Sequence, residues 1–170
     1  MTSTDLEVEE LYAEAYRPLV GLLTVIGGSP TDAEEVAQDA FVRLLERWSR
    51  IRRYDDPAAW VRTVAVRMLT SRHRRTLVAA AGLRRLAGQA DQADSGVASA
   101  SGNTVDVAAA LARLPEPQRA VVVLHHVCDL SVETIDDQLR LPTGTVKSRL
   151  GRGRAALSTM LPDPQEATHD

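Results

Sequence analysis

Lys147, Ser148, Arg149, Arg152 and Arg154 crowd one short stretch near the C-terminal end of the chain. Between Arg140 and Arg154 there are five basic residues and no acid. Such side chains make and break no bonds. Lysine and arginine donate to phosphate oxygens and to the O6 and N7 acceptors of guanine, so their chemistry is recognition of a polyanion. A second basic block lies upstream: residues 60–75 hold Arg62, Arg67, Arg72, Arg74 and Arg75, with His73 and no acid. The opposite charge collects at the N-terminal end, where residues 1–39 carry nine acids and one base, Arg17. A formal net charge of −3 thus hides two basic surfaces and one acidic surface.

The other groups able to do chemistry do not converge. His125 and His126 sit beside the lone cysteine, Cys128, but adjacent residues on a helix point about 100° apart and cannot share a metal without outside ligands. No CxxC or HExxH accompanies them, nor any glycine-rich phosphate loop, paired carboxylates or nucleophile motif. The expectation is a protein with no metal, cofactor, small-molecule substrate or catalytic residue. A single cysteine fits a reducing, intracellular compartment. The opening MTSTDLEVEELY is acidic and lacks the apolar core of a signal peptide, and no apolar run reaches the ~20 residues of a membrane span, so no membrane insertion is expected.

What positions the basic residues is legible from periodicity. The chain is 44% hydrophobic but 4% aromatic, and rich in Ala, Leu and Val, which favours helices over sheets. The apolar run Val121 to Leu124 opens a buried helix. Ser131 offers a cap for the next, in which Ile135 and Leu139 share a face. Pro142 suits the first turn of a third, where Val146 and Leu150 repeat the spacing and leave the basic residues outward. Two short helices and a tight turn make a helix-turn-helix, whose second helix suits the DNA major groove.

Upstream, residues 5–25 carry an apolar stripe through Leu6, Leu11, Tyr12, Ala15, Leu19, Leu22 and Leu23, and Gly27-Gly28-Ser29-Pro30 ends that helix. Thr31 or Asp32 is expected to cap the next, with Val36, Ala37, Ala40, Phe41, Leu44, Leu45 and Trp48 inward. A polar connector, SRIRRYDDP, leads to a third helix with Trp60, Val61, Val64, Ala65, Met68 and Leu69 facing the core. The reading is all-α: two small helical domains joined by a flexible linker, the C-terminal one a helix-turn-helix. The expected boundaries are a first domain over 1–75, a linker over 76–103, a second domain over 104–162 and a tail over 163–170. A short amphipathic segment around residues 77–86 extends into the linker.

Three stretches together resemble the extracytoplasmic-function (ECF) class of bacterial sigma factors of the sigma-70 superfamily. DAEEVAQDAFVRLLERW (Asp32 to Trp48) is similar to that family's polymerase-binding helix. DPAAWVRTVAVRMLTSRHRR (Asp56 to Arg75) is similar to its −10-melting helix. LARLPEPQRAVVVLHHVCDLS with LPTGTVKSRLGRGRAAL is similar to its −35-reading domain. A helix-turn-helix alone is weakly specific, whereas the three in this order are strongly so.

The resemblance implies roles. Glu35, Gln38, Asp39 and Val42 would dock on the clamp of the largest subunit of core RNA polymerase. The second domain would meet its flap. Arg62, Arg67, Thr70, Ser71, Arg74 and Arg75, with the connector Arg52 to Asp56, would hold the opened −10 strand, with Arg72 a further cation and Trp60 assigned to the core. Lys147, Ser148 and Arg152 would read base edges of the −35 element, with Thr145, Arg149 and Arg154 on phosphates. Promoter DNA and an anti-sigma factor are the other implied partners, and the location would be cytoplasmic, with the nucleoid when bound to core. The chain departs from the family pattern at Arg67 (often Asn), Ser71 (often Asp), Asp136 (usually small), Arg140 (usually Gly) and Gly151 (often a larger side chain). The alternative function is a stand-alone helix-turn-helix regulator that binds operator DNA.

Overall fold

A computed structural model of the chain describes residues 3–86 and 107–161. They form two compact units, and every regular element among the described residues is a helix. The first unit holds α1 (Ser3–Gly27), α2 (Pro30–Glu46), α3 (Trp48–Ile51) and α4 (Pro57–Leu86). The second holds α5 (Val107–Ala112), α6 (Glu116–His126), α7 (Val132–Leu139) and α8 (Thr143–Met160).

The first unit is organised by the stripes that α1, α2 and α4 turn toward one another. Leu19, Leu23 and Ile26 of α1, Val36, Ala40, Phe41 and Leu44 of α2, and Val61, Ala65 and Leu69 of α4 form its core. Between α1 and α2 the chain reverses at Gly28, whose φ of 78° a side chain would disfavour. The cap of α2 is Ser29 rather than Thr31 or Asp32. Its hydroxyl accepts the Asp32 N–H at 3.2 Å because Pro30, which has no N–H to satisfy, takes the first helical position.

Three expectations for this unit need correction. The connector after Trp48 is not wholly polar loop: α3 forms there, with Trp48 and Ile51 buried. Ile51 was the apolar signal inside that polar stretch. Leu45 is 56% exposed and Tyr12 42%, although both fit the apolar period. Finally, α4 does not stop at Arg75 but runs on to Leu86, so residues 76–86 are helix where linker was expected. TLVAAAGLRRL contains mostly strong helix formers, and its single glycine costs too little to end the helix. Residues 87–103 of the expected linker, the start of the second domain at 104–106 and the tail at 163–170 lie outside the described residues.

In the second unit α6 is the central helix, with residues 119–124 all buried. Arg119 is the buried charged residue there. Its guanidinium donates to the Ala112 carbonyl at 3.0 Å and so ties the end of α5 to α6. Ser131 caps α7 as expected, accepting the Thr134 N–H at 3.1 Å. Ile135, Val146 and Leu150 bury α7 and α8 against α6. Where most turns of this kind place glycine, Arg140 adopts the left-handed conformation at φ 54° and ψ 49°, a strain of roughly 1 kcal/mol.

Candidate nucleic-acid interface

The exposed face of α8 follows from which residues its packing consumes. Val146, Leu150 and Gly153 are buried against the rest of the unit, so the helical period leaves Lys147, Ser148, Gly151 and Arg152 on the opposite arc, all exposed. Thr145 and Arg149 are half-buried on one flank, and Arg154 is exposed on the other. The structure therefore brings the sequence-derived set together as one basic face with two borders. At Gly144 and Gly151 an added Cβ would meet nothing within 4 Å, so the middle of the face is flat and open.

Arg154 already has a partner. Its Nε donates to Nε2 of His126 at 3.1 Å, while His125 Nδ1–H donates to the Leu130 carbonyl at 2.7 Å. Both histidines thus serve to fasten the end of α6. Burial, then Arg154, then His125 hold the His126 imidazole below its ordinary value. With the folded pKa depressed, the unfolded chain takes up the proton first, so the stability is present above the ordinary value and is lost as pH falls through it. Melting of the second unit is expected to shift down from about pH 7 to about pH 5. His126→Gln, which keeps an acceptor for Arg154, is expected to remove part of that shift, and an identical pH profile would take His126 out of the account.

On α4 the expected set divides. Arg67, Thr70, Ser71 and Arg74 lie on one side of the helix, half-buried or exposed, and Arg75 borders them. The Thr70 hydroxyl donates back to the Val66 carbonyl at 3.0 Å, and the Arg75 side chain to the Ser71 carbonyl at 3.4 Å. Arg62 does not join this face. Its position on the helix falls toward the packed side, and its Nε is enclosed without a hydrogen-bond partner among the described residues. Arg72 is also diverted: its guanidinium lies 2.8 Å from Glu35 and 3.4 Å from Asp32 of α2. Trp60, assigned to the core by its period, is only half-buried and falls in register with Arg67, Ser71 and Arg74. Tyr54, on the loop before α4, is exposed, and it lies within the connector Arg52 to Asp56 that the resemblance assigns to the opened strand.

On α2, Glu35, Gln38, Asp39 and Val42 form one exposed strip, as their spacing required. Beside it runs a groove of about 610 Å³ lined by Val8, Tyr12, Gln38, Phe41, Val42 and Leu45, with Glu9 and Trp48. The Tyr12 ring meets Phe41 edge-on at 4.9 Å and stacks on Tyr16 at 4.6 Å. Leu45 is exposed because it forms one wall of this groove rather than part of the core.

Comparisons with known proteins place the chain in a family. The family model for Sigma-70 region 2 matches residues 11–77, and that for Sigma-70, region 4 matches residues 104–157. The ECF RNA polymerase sigma factor SigM of Mycobacterium tuberculosis is 30% identical over 158 residues, which covers 90% of this chain and 76% of that protein. The ECF RNA polymerase sigma factor SigW of Bacillus subtilis is 27% identical over 175 residues, covering 94% and 87%. The sigma factor RpoE of Bartonella quintana, solved in complex with the anti-sigma factor NepR, has the same fold, with a TM-score of 0.66 at 19% identity over 91% of this chain and 96% of that one. Among the described residues no helix is long and apolar enough to cross a membrane. A stand-alone operator-binding regulator is not favoured, since the N-terminal unit matches a polymerase sigma region as fully as the C-terminal unit does. The chain belongs to the ECF family of RNA polymerase sigma factors, the initiation subunits that direct promoter-specific transcription.

Proposed function

We propose that three faces of this sigma factor divide the work of initiation. The strip Glu35, Gln38, Asp39 and Val42 docks on the clamp of the largest polymerase subunit, and the adjoining groove takes an apolar side chain of that partner. An acidic rim around an apolar slot suits a basic helix with one or two hydrophobic anchors. The face of α4 that carries Trp60, Arg67, Thr70, Ser71, Arg74 and Arg75 holds the opened strand at the −10 element. Tyr54 supplies a second aromatic surface, since a strand taken out of the duplex needs stacking and phosphate neutralisation. Arg62, half-buried on the packed side, supports that helix. On α8, Lys147, Ser148 and Arg152 read base edges at −35 while Thr145, Arg149 and Arg154 fix register on phosphates. The second unit meets the polymerase flap. An anti-sigma factor that covers these faces is a further partner, supported by the complex in which the Bartonella protein was solved. The protein works in the cytoplasm, at the nucleoid when bound to core, and the bond-forming chemistry belongs to core.

The observation that carries this reading is the outward arc of α8, where Lys147, Ser148 and Arg152 stand exposed with no acid among them. Arg152→Ala is expected to weaken promoter use at the −35 element by about 1–3 kcal/mol while leaving −10 preference intact. Promoter opening by the full chain with core, on templates altered at one element at a time, measures it. An unchanged −35 preference would remove Arg152 from the reading face.

A further inference from the structure

The turn into the recognition helix converges on one residue. The Asp136 carbonyl accepts the N–H of Arg140, the residue in the left-handed conformation, and that of Leu141 at 3.1 Å. The Asp136 carboxylate accepts the hydroxyl of Thr143, the first residue of α8. The cap position of α8 is Pro142, which offers no side-chain acceptor. A carboxylate on another helix instead grips the side chain of that first residue, with no bond to a backbone N–H of α8. It holds the first residue of α8 and sets a negative charge beside the positive end of the helix dipole.

Asp136 and Thr143 gain their significance together. A small residue at 136 would leave Thr143 without this acceptor, and a valine at 143 would leave the half-buried carboxylate without this donor.

We propose that Asp136, through Thr143, is the positioning residue that sets how α8 enters the −35 element. The inference rests on α8 being the −35 reader. It makes base choice depend on a residue that touches no base.

The test uses the full chain with core polymerase and a promoter pool randomised across the −35 region, read as the enrichment of the preferred bases. Asp136→Ala and Thr143→Val are each expected to lower enrichment about fivefold, the worth of one hydrogen bond. The double variant is expected to lose no more than either alone, because both remove the same contact. Asp136→Asn keeps an acceptor and is expected to preserve the preferred bases. Thr143→Ser keeps the donor and is expected to behave as the unaltered chain. Additive losses in the double variant would overturn the proposal. So would Asp136→Asn matching Asp136→Ala, or unchanged enrichment in Asp136→Ala. Enrichment absent already in the unaltered holoenzyme would instead overturn the reading of α8, and the inference with it. Melting curves of each variant separate a misplaced helix from an unfolded one, and Thr143→Val against Thr143→Ser carries the comparison if Asp136→Ala fails to fold.

Discussion

Gly153→Ala is expected to destabilise the second unit by about 2 kcal/mol, the usual cost of forcing one carbon into a packed contact. A Cβ at this position would stand 2.5 Å from Cγ2 of Val122, a methyl group on a stiff β-branched side chain at the centre of α6. Gly153 is buried because α8 crosses α6 there, and the missing side chain lets the two helices approach. Alanine is ordinarily worth about 1 kcal/mol more than glycine inside a helix, so a net loss reports the clash alone. Thermal melting is the measurement, and a fall of about 10 °C is expected for a unit of this size. Gly151→Ala supplies the control two residues away. An added Cβ there meets nothing within 4 Å, so that variant should be neutral or stabilised. Pairing Gly153→Ala with Val122→Ala removes the methyl group that clashes, and the double variant should recover part of the loss. If Gly153→Ala melts like the unaltered chain, the close approach of α6 and α8 is wrong.

Asp39→Arg is the second large effect, and it lies on the other unit. Asp39 is exposed in the middle of the strip proposed to dock on core, so the substitution is expected to leave the isolated fold within about 0.5 kcal/mol. Against a basic partner it replaces attraction by repulsion, and core affinity should fall about 30-fold or more. Titration of core polymerase with labelled chain measures it. Leu45→Ser probes the apolar half of the same surface. Leu45 walls the groove and is 56% exposed, so its loss should weaken core binding at little cost in stability. Normal core affinity in both variants would move the docking face elsewhere. Glu35 is the less informative member of the strip, because it is paired with Arg72 on α4 at 2.8 Å, and its substitution disturbs two surfaces at once.

Much of this protein is written in local sequence. Helical periodicity located α1, α2, α6, α7 and α8 because each buries one face of a regular 3.6-residue repeat, and such a repeat is visible without knowing the partner. Ser131 declared the start of α7 and Gly27-Gly28 the end of α1 because capping and left-handed turns are decided within a few residues. The basic face of α8 was legible for the same reason: once Val146 and Leu150 are inward, Lys147, Ser148 and Arg152 must be outward.

Tertiary structure decided what periodicity leaves undetermined, namely which apolar residues find cover and which charges find each other. Leu45 and Tyr12 obey the apolar period yet line an open groove, since α1 and α2 do not close over their ends of the stripe. Trp60 left the core and Arg62 lies toward it because the face of α4 that packs, set by Val61, Ala65 and Leu69, takes in position 62 and not position 60, about 200° away around the helix. Arg72 belongs to the basic block by sequence but to Asp32 and Glu35 in space. Gly153 looked like any helix glycine until Val122 of another helix came against it. Local order comes from backbone geometry and neighbours in the chain, which the sequence states directly. Cover, pairing and close approach are properties of two surfaces meeting, and these existed only once the helices had packed.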